Sequence, residues 1–274
     1  MDRPTGLPPA IDDTRAEAGW PFAPGDLMAG LPDTVRRKLG RPAGWFALWP
    51  VLILLAGPLA GILTGLTFGF VSGRLDSPDP HLIFRLLHPA LALAYIAVFF
   101  IFARWAVRRG LGNAVIDPRP RQIATESALA FLFLVLTIVF GGLLLNALTE
   151  LLGAQPSPQN LVPAEAGPSL FWIALPAVVV IGPAVEEMIF RGWMLPALRA
   201  RGLGWIAAIA LSSLLFGALH SPAGLLPFVY TTLVGISAGI LRVQTGRLFA
   251  PILFHALNNL VVIGLPQIVA QTAG

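Results

Sequence analysis

The residues best equipped for chemistry lie in the last third of the sequence. They are Glu186-Glu187 with Arg191, Phe216 with His220, and His255 with Asn259. All sit in or beside long apolar runs, where an ionisable side chain is costly and marks a site. On a helix Glu187 and Arg191 share a face, with the acid N-terminal to the base, the favoured order for an ion pair. The arginine then keeps Glu187 ionised and oriented. Glu186 points about 100° away by the helical period, which leaves it free to face a cavity. His255 and Asn259 are also four apart and fall on one stripe of a span without charges. Each has a plainer reading: Glu and Arg at a span end, His220 as a helix cap, and Asn259 as polar glue between helices.

A carboxylate and two imidazoles offer two chemistries. Glu186, His220 and His255 could hold a zinc ion with one position open for water. Alternatively the carboxylate and one histidine activate water directly, and the other histidine with the asparagine amide stabilises an oxyanion. Both schemes hydrolyse an amide without a covalent intermediate. The chain contains no cysteine, which excludes a cysteine nucleophile, a thiolate zinc site and a disulfide framework.

The elements that must carry these residues are membrane helices. Of 274 residues, 56% are hydrophobic and 12% charged, about half the charge of a soluble domain. Runs free of Asp, Glu, Lys and Arg predict spans near 45–70, 86–103, 127–148, 168–188, 204–220, 225–241 and 248–266. The fold expected is an all-α, polytopic transmembrane bundle of about seven spans, with six to eight compatible. It divides into a cytoplasmic, disordered tail over 1–41, N-terminal transmembrane helices over 42–153, and a catalytic transmembrane core over 165–274. Sixteen of the 18 basic residues fall in alternate loops, which places the N-terminus in the cytoplasm. The basic balance is therefore topological, and no nucleic-acid partner is expected. The depths conflict. His220 lies 19 residues beyond Arg201 and His255 only 8 beyond Arg247, about 28 and 12 Å along straight helices. A shared site requires that residues 192–203 enter the bilayer as a helix, or that the next two spans tilt or break.

With these motifs in order, residues 168–262 resemble the CPBP family of intramembrane endopeptidases, which includes the type II CAAX prenyl endopeptidases and the abortive-infection proteins. EExxxR matches Glu186, Glu187 and Arg191; FxxxH matches Phe216 and His220; HxxxN matches His255 and Asn259. The resemblance implies that Glu186 and His220 activate water, that His255 and Asn259 form the oxyanion hole, and that Glu187 and Arg191 support the site. Composition predicts an integral membrane protein, and its arginine-rich, cysteine-free character points to a bacterial cytoplasmic membrane; a site within the bilayer suits a membrane-embedded or lipidated peptide among membrane lipids. No cofactor is fixed by the resemblance, and zinc stays an alternative. Oligomeric state is not encoded in these motifs. Gly235-Ile236-Ser237-Ala238-Gly239 also fits the serine-hydrolase elbow, but in mid-span rather than at a strand–turn–helix. Its two glycines equally fit a GxxxG packing pattern. A proton-coupled transporter and a non-catalytic scaffold or immunity protein are the readings from other classes.

Overall fold

The computed structural model describes residues 96–97, 99–108, 120, 122–153, 172, 175–221 and 224–272. The tail 1–41, the expected span 45–70 and most of 86–103 lie outside these residues. The described residues form helices and no strands. They are α1 (Ile123–Leu152), α2 (Gly182–Glu187), α3 (Leu195–Ala200), α4 (Trp205–Ala218), α5 (Leu225–Thr245), α6 (Phe249–Asn259) and α7 (Leu265–Thr272), joined in places by π-helical segments Ala177–Ile181, Met188–Met194 and Leu260–Gly264. Among the described residues three helices are long and apolar enough to cross a membrane: α1, α5, and the run Phe249–Val269. The fold is a helical membrane bundle.

Helix α1 shows how the bundle meets lipid. Its buried residues Ala130, Leu134, Thr137 and Gly141 recur at three- and four-residue steps along one stripe. That stripe faces α5: Thr137 exchanges a hydrogen bond with Ser237, and Gly141 lies under the Tyr230 ring. The rest of the helix is apolar and uncovered, with Phe131, Val139, Phe140 and Leu143 all more than half exposed. A helix that is apolar all round but packed on one side is a bundle helix whose other side is solvated by acyl chains. The helical stretch 99–108 joins the same core, with Trp105 edge-on to Trp193 and Phe102 buried.

Each π segment ends two residues before a proline: Ile181 before Pro183, Met194 before Pro196, Gly264 before Pro266. Proline has no N–H, and its ring crowds the carbonyl four residues back. Widening the preceding turn by one residue relieves that crowding and lets the helix continue. One carbonyl per proline still loses its partner. Gly182 N–H bonds Ala177 O and Pro183 has no N–H, so Val178 O is left over. Leu195 N–H bonds Phe190 O and Pro196 has none, so Arg191 O is left over. Both are recovered by side chains from other helices: Asn259 Nδ2 donates to Val178 O at 3.0 Å, and Arg242 Nε donates to Arg191 O at 3.1 Å. An abandoned buried carbonyl would cost about 1–3 kcal/mol, so these two contacts hold α5 and α6 against the proline-broken helix.

The helix expected over 168–188 therefore does not stop there. It runs on through the second π segment to Ala200, and Arg191 and Arg199 lie inside it, 0% and 2% exposed. Arg242, also counted as a loop charge, is 3% exposed. Arg199 donates to Leu203 O and lies 5.0 Å from the Trp205 ring centroid. These arginines serve main-chain carbonyls and aromatic faces within the protein, so they are poor gauges of membrane depth. The depth conflict rested on Arg201 and Arg247, both half-buried, and it is met by the convergence of the site residues themselves. Helix α4 spans only 14 residues, about 21 Å, and Phe216 near its end reaches the His255 ring directly.

Candidate active site

Glu186 and Glu187 close α2, next to the π segment that carries Arg191. Glu187 is fully buried, and its Oε1 accepts from Arg191 Nη1 at 3.1 Å and from His255 Nδ1 at 2.9 Å. Glu186 approaches the other nitrogen of the same imidazole, Oε2 to Nε2 at 3.8 Å. The two adjacent carboxylates thus converge on the two edges of one histidine. The sequence reading separated them by about 100° and did not foresee that a histidine from α6 would fit between them. Glu186 is the more open of the pair, its side chain 11% exposed against 0% for Glu187.

Arg191 is held from several sides. Besides Glu187, its Nη2 donates to Gly235 O on α5 at 2.7 Å, and its guanidinium lies 4.8 Å from the Phe216 ring centroid. Phe216 is fully buried and also meets the His255 ring edge-on, with centroids 5.5 Å apart. This phenylalanine is the hub of the motif: it excludes water from the ion pair and supports both imidazoles. The His220 ring lies against it, tilted by 58° with centroids 5.1 Å apart, and His220 Nδ1 lies 3.1 Å from Phe216 O. In neutral imidazole that places the proton on Nδ1 and leaves Nε2 as an acceptor.

The predicted residues are therefore brought together unequally. Glu186, Glu187, Arg191, Phe216 and His255 form one contact group. His220 joins through the Phe216 ring. Asn259 shares α6 with His255, but one of its amide protons is engaged by Val178 O. Glu186, His220 and His255 do not close into a metal-holding group among the described residues: Glu186 and Glu187 take the two nitrogens of His255, and His220 joins only through the Phe216 ring. The donor set as arranged does not fit a bound zinc ion, and no step below runs through a metal.

Residues outside the motifs also serve the site. Gly235 is one. A Cβ there would lie 2.9 and 3.0 Å from Ser213 Cβ and Cα and 3.1 Å from Arg191 Nη2. Glycine lets α4 and α5 meet closely and lets the guanidinium reach the carbonyl. Gly239 packs likewise on Ile209, so the two glycines act as a packing pair. Ser237 between them is engaged with Thr137 at 2.7 Å, inside α5 rather than at a strand–turn–helix. Gly235→Ala is expected to destabilise the bundle by about 1–3 kcal/mol through overpacking and to displace Arg191. Gly142→Ala, where nothing lies within 4 Å, is expected to be silent. Thermal unfolding of both variants in detergent checks the contrast.

Residues 168–261 match the family model described as Type II CAAX prenyl endopeptidase Rce1-like. The sequence resemblance is thereby shown over the segment that holds the whole site. The chain is also 28% identical to an Escherichia coli "Uncharacterized 24.3 kDa protein" over 61% of this chain and 74% of that one. It is 28% identical to the "Membrane-embedded CAAX protease MroQ" of Staphylococcus aureus, covering 47% of this chain and 54% of the relative. It is 31% identical to the "CAAX prenyl protease 2" of Arabidopsis thaliana, covering 35% and 36%. The chain thus spans about half or less of the two relatives named as proteases. No solved structure matches it.

Proposed function

We propose that this protein is an intramembrane endopeptidase that hydrolyses a peptide bond of a membrane-associated or lipidated peptide with water activated by Glu186 and His220. The observation that carries the reading is the convergence of Glu186 and Glu187 on His255, beside a fully buried arginine, within an apolar bundle. Such a group costs folding free energy and persists where chemistry requires it. The Rce1-like match and the two protease-named relatives support the same class.

In this reading Glu187 and Arg191 do not touch substrate. They fix the His255 ring, as carboxylates fix histidines in other hydrolytic sites. Glu186, the more accessible carboxylate, takes a proton from water, with His220 Nε2 as a second acceptor. The water oxygen bonds to the scissile carbonyl carbon, and the π pair moves to the carbonyl oxygen. His255, held at Nδ1 by Glu187, turns its Nε2 edge to that oxyanion. The second amide proton of Asn259 adds to it. Collapse expels the amine, which takes its proton from Glu186.

The test uses purified full-length protein in lipid nanodiscs and peptide libraries with and without a prenyl group. Wild type is expected to cleave a subset, favouring lipidated members, and His220→Ala to lose about 10²-fold or more in rate. Absence of cleavage by wild type, or equal cleavage by the variant, sinks the reading. A proton flux lost in His220→Ala without any cleavage would assign the residues to transport.

A further inference from the structure

The two asparagines that close α6 are engaged differently. Asn259 spends one amide proton on the carbonyl that Pro183 leaves over. Asn258 is 3% exposed, and its Oδ1 accepts from Tyr230 O–H at 2.7 Å. Among the described residues this is its one hydrogen bond, so both N–H donors of its Nδ2 remain unused. Nδ2 is not among the sealed polar atoms without a partner, so it opens to the space beside α6, and a residue placed only to tie α5 to α6 needs no more than the Tyr230 contact. The phenol also fixes the amide's orientation: with Oδ1 on the hydroxyl, Nδ2 is turned the other way.

The location suits a donor to substrate. Asn258 is one helical step from His255, roughly 4.5 Å further along α6. Its partner Tyr230 lies at the level of Phe228 and Thr232, the residues of α5 that meet Gly217, although its own ring packs over Gly141 of α1. His220 follows three residues after Gly217. Tyr230 and Asn258 therefore occupy the end of the bundle to which His220 belongs.

We propose that the Asn258 carboxamide, oriented by Tyr230, donates a hydrogen bond to the carbonyl oxygen of the scissile peptide bond; this rests on the peptidase reading above. As water adds to the carbonyl carbon and its proton passes to Glu186, the oxygen that takes the π pair accepts from Asn258 Nδ2–H as well as from His255 and Asn259. When the carbonyl reforms, the C–N bond breaks and the Glu186 proton leaves with the amine. Asn258 makes its bond most strongly in the tetrahedral intermediate, which is where a donor accelerates the reaction.

The experiment takes the library peptide that wild type cleaves best and measures kcat and KM for full-length Asn258→Ala, Tyr230→Phe and the double variant in nanodiscs. Asn258→Ala is expected to lower kcat about 10²-fold with KM little changed. Tyr230→Phe, which keeps the amide but frees it to turn, is expected to lose less, again in kcat. The double variant is expected to be no worse than Asn258→Ala alone, because the tyrosine acts through the asparagine. A merely structural tie predicts lowered stability with unchanged kcat in the folded fraction, and that result overturns the assignment. If Asn258→Ala does not fold, Tyr230→Phe decides, and an unchanged kcat there overturns it too. A wild type that cleaves nothing sinks both the peptidase reading and this assignment. A wild type that cleaves, matched by Asn258→Ala, sinks this assignment alone.

Discussion

Glu186→Gln is expected to leave a folded protein that no longer cleaves. Glutamine has the shape of glutamate, and the Glu186 side chain is the more exposed of the pair, so little packing changes. What disappears is the proton acceptor. Removing a positioned general base costs about 10²–10⁴-fold in rate, so kcat should fall by that factor. The measurement is steady-state cleavage in nanodiscs, beside the thermal unfolding midpoint. A variant that unfolds at the wild-type temperature and turns over at the wild-type rate would remove Glu186 from the chemistry. Glu187→Gln makes the contrast. Its carboxylate is sealed and bonded to both Arg191 and His255, so its loss should lower stability as well as rate.

Arg191→Met should produce the largest loss of stability. The substitution keeps much of the volume and removes the charge. It strands Glu187 as a fully buried carboxylate with His255 as its remaining partner, abandons Gly235 O, and takes the guanidinium from the Phe216 face. Breaking a buried pair from one side costs about 3–5 kcal/mol. The double variant Glu187→Gln with Arg191→Met should recover part of that loss, because the uncompensated charge goes with its partner. Arg191→Lys is not expected to rescue, since an ammonium does not present a fork to Glu187 and Gly235 O together. Unfolding midpoints of the three variants decide this. Equal midpoints for Arg191→Met and wild type would show that the ion pair does not hold the site.

The site was legible in the sequence because its residues break the local rule. Glutamate, histidine and asparagine in apolar helices have no other business there, and the Glu187–Arg191 spacing names its own contact. The helices α1, α4, α5 and α6 were legible for the complementary reason, since long charge-free runs have one stable form in lipid. Arg191, Arg199 and Arg242 misled, because a charge count treats every arginine as solvated. Arg191 pairs with Glu187 as the spacing indicates, but the carbonyls of Gly235 and Arg191 that bind Arg191 and Arg242 come from 44 and 51 residues away, and no local pattern points to them. Asn258 was overlooked beside Asn259 because the motif spacing selects the latter. The signal that could have found it was its own rarity, a second amide on an uncharged span. Gly235 was noticed as part of a packing pattern, but its role as the acceptor for Arg191 needed the two helices to be seen together.

The proline-linked turns have a consequence for how substitutions and length changes will be tolerated. A π turn is equivalent to one residue inserted into an α-helix, and a single residue is about 100° of rotation. With one such turn before α2 and another after it, the six residues Gly182–Glu187 have an angular phase set independently of the helix on either side. Removing one residue from Met188–Met194 would not simply shorten the helix. It would turn everything beyond, Arg199 included, against the carboxylates, while sparing the Glu186–Glu187 spacing. In this segment the dihedral bookkeeping of the chain, more than its composition, decides which way the acids face, and Pro183 and Pro196 are the residues that set the dial.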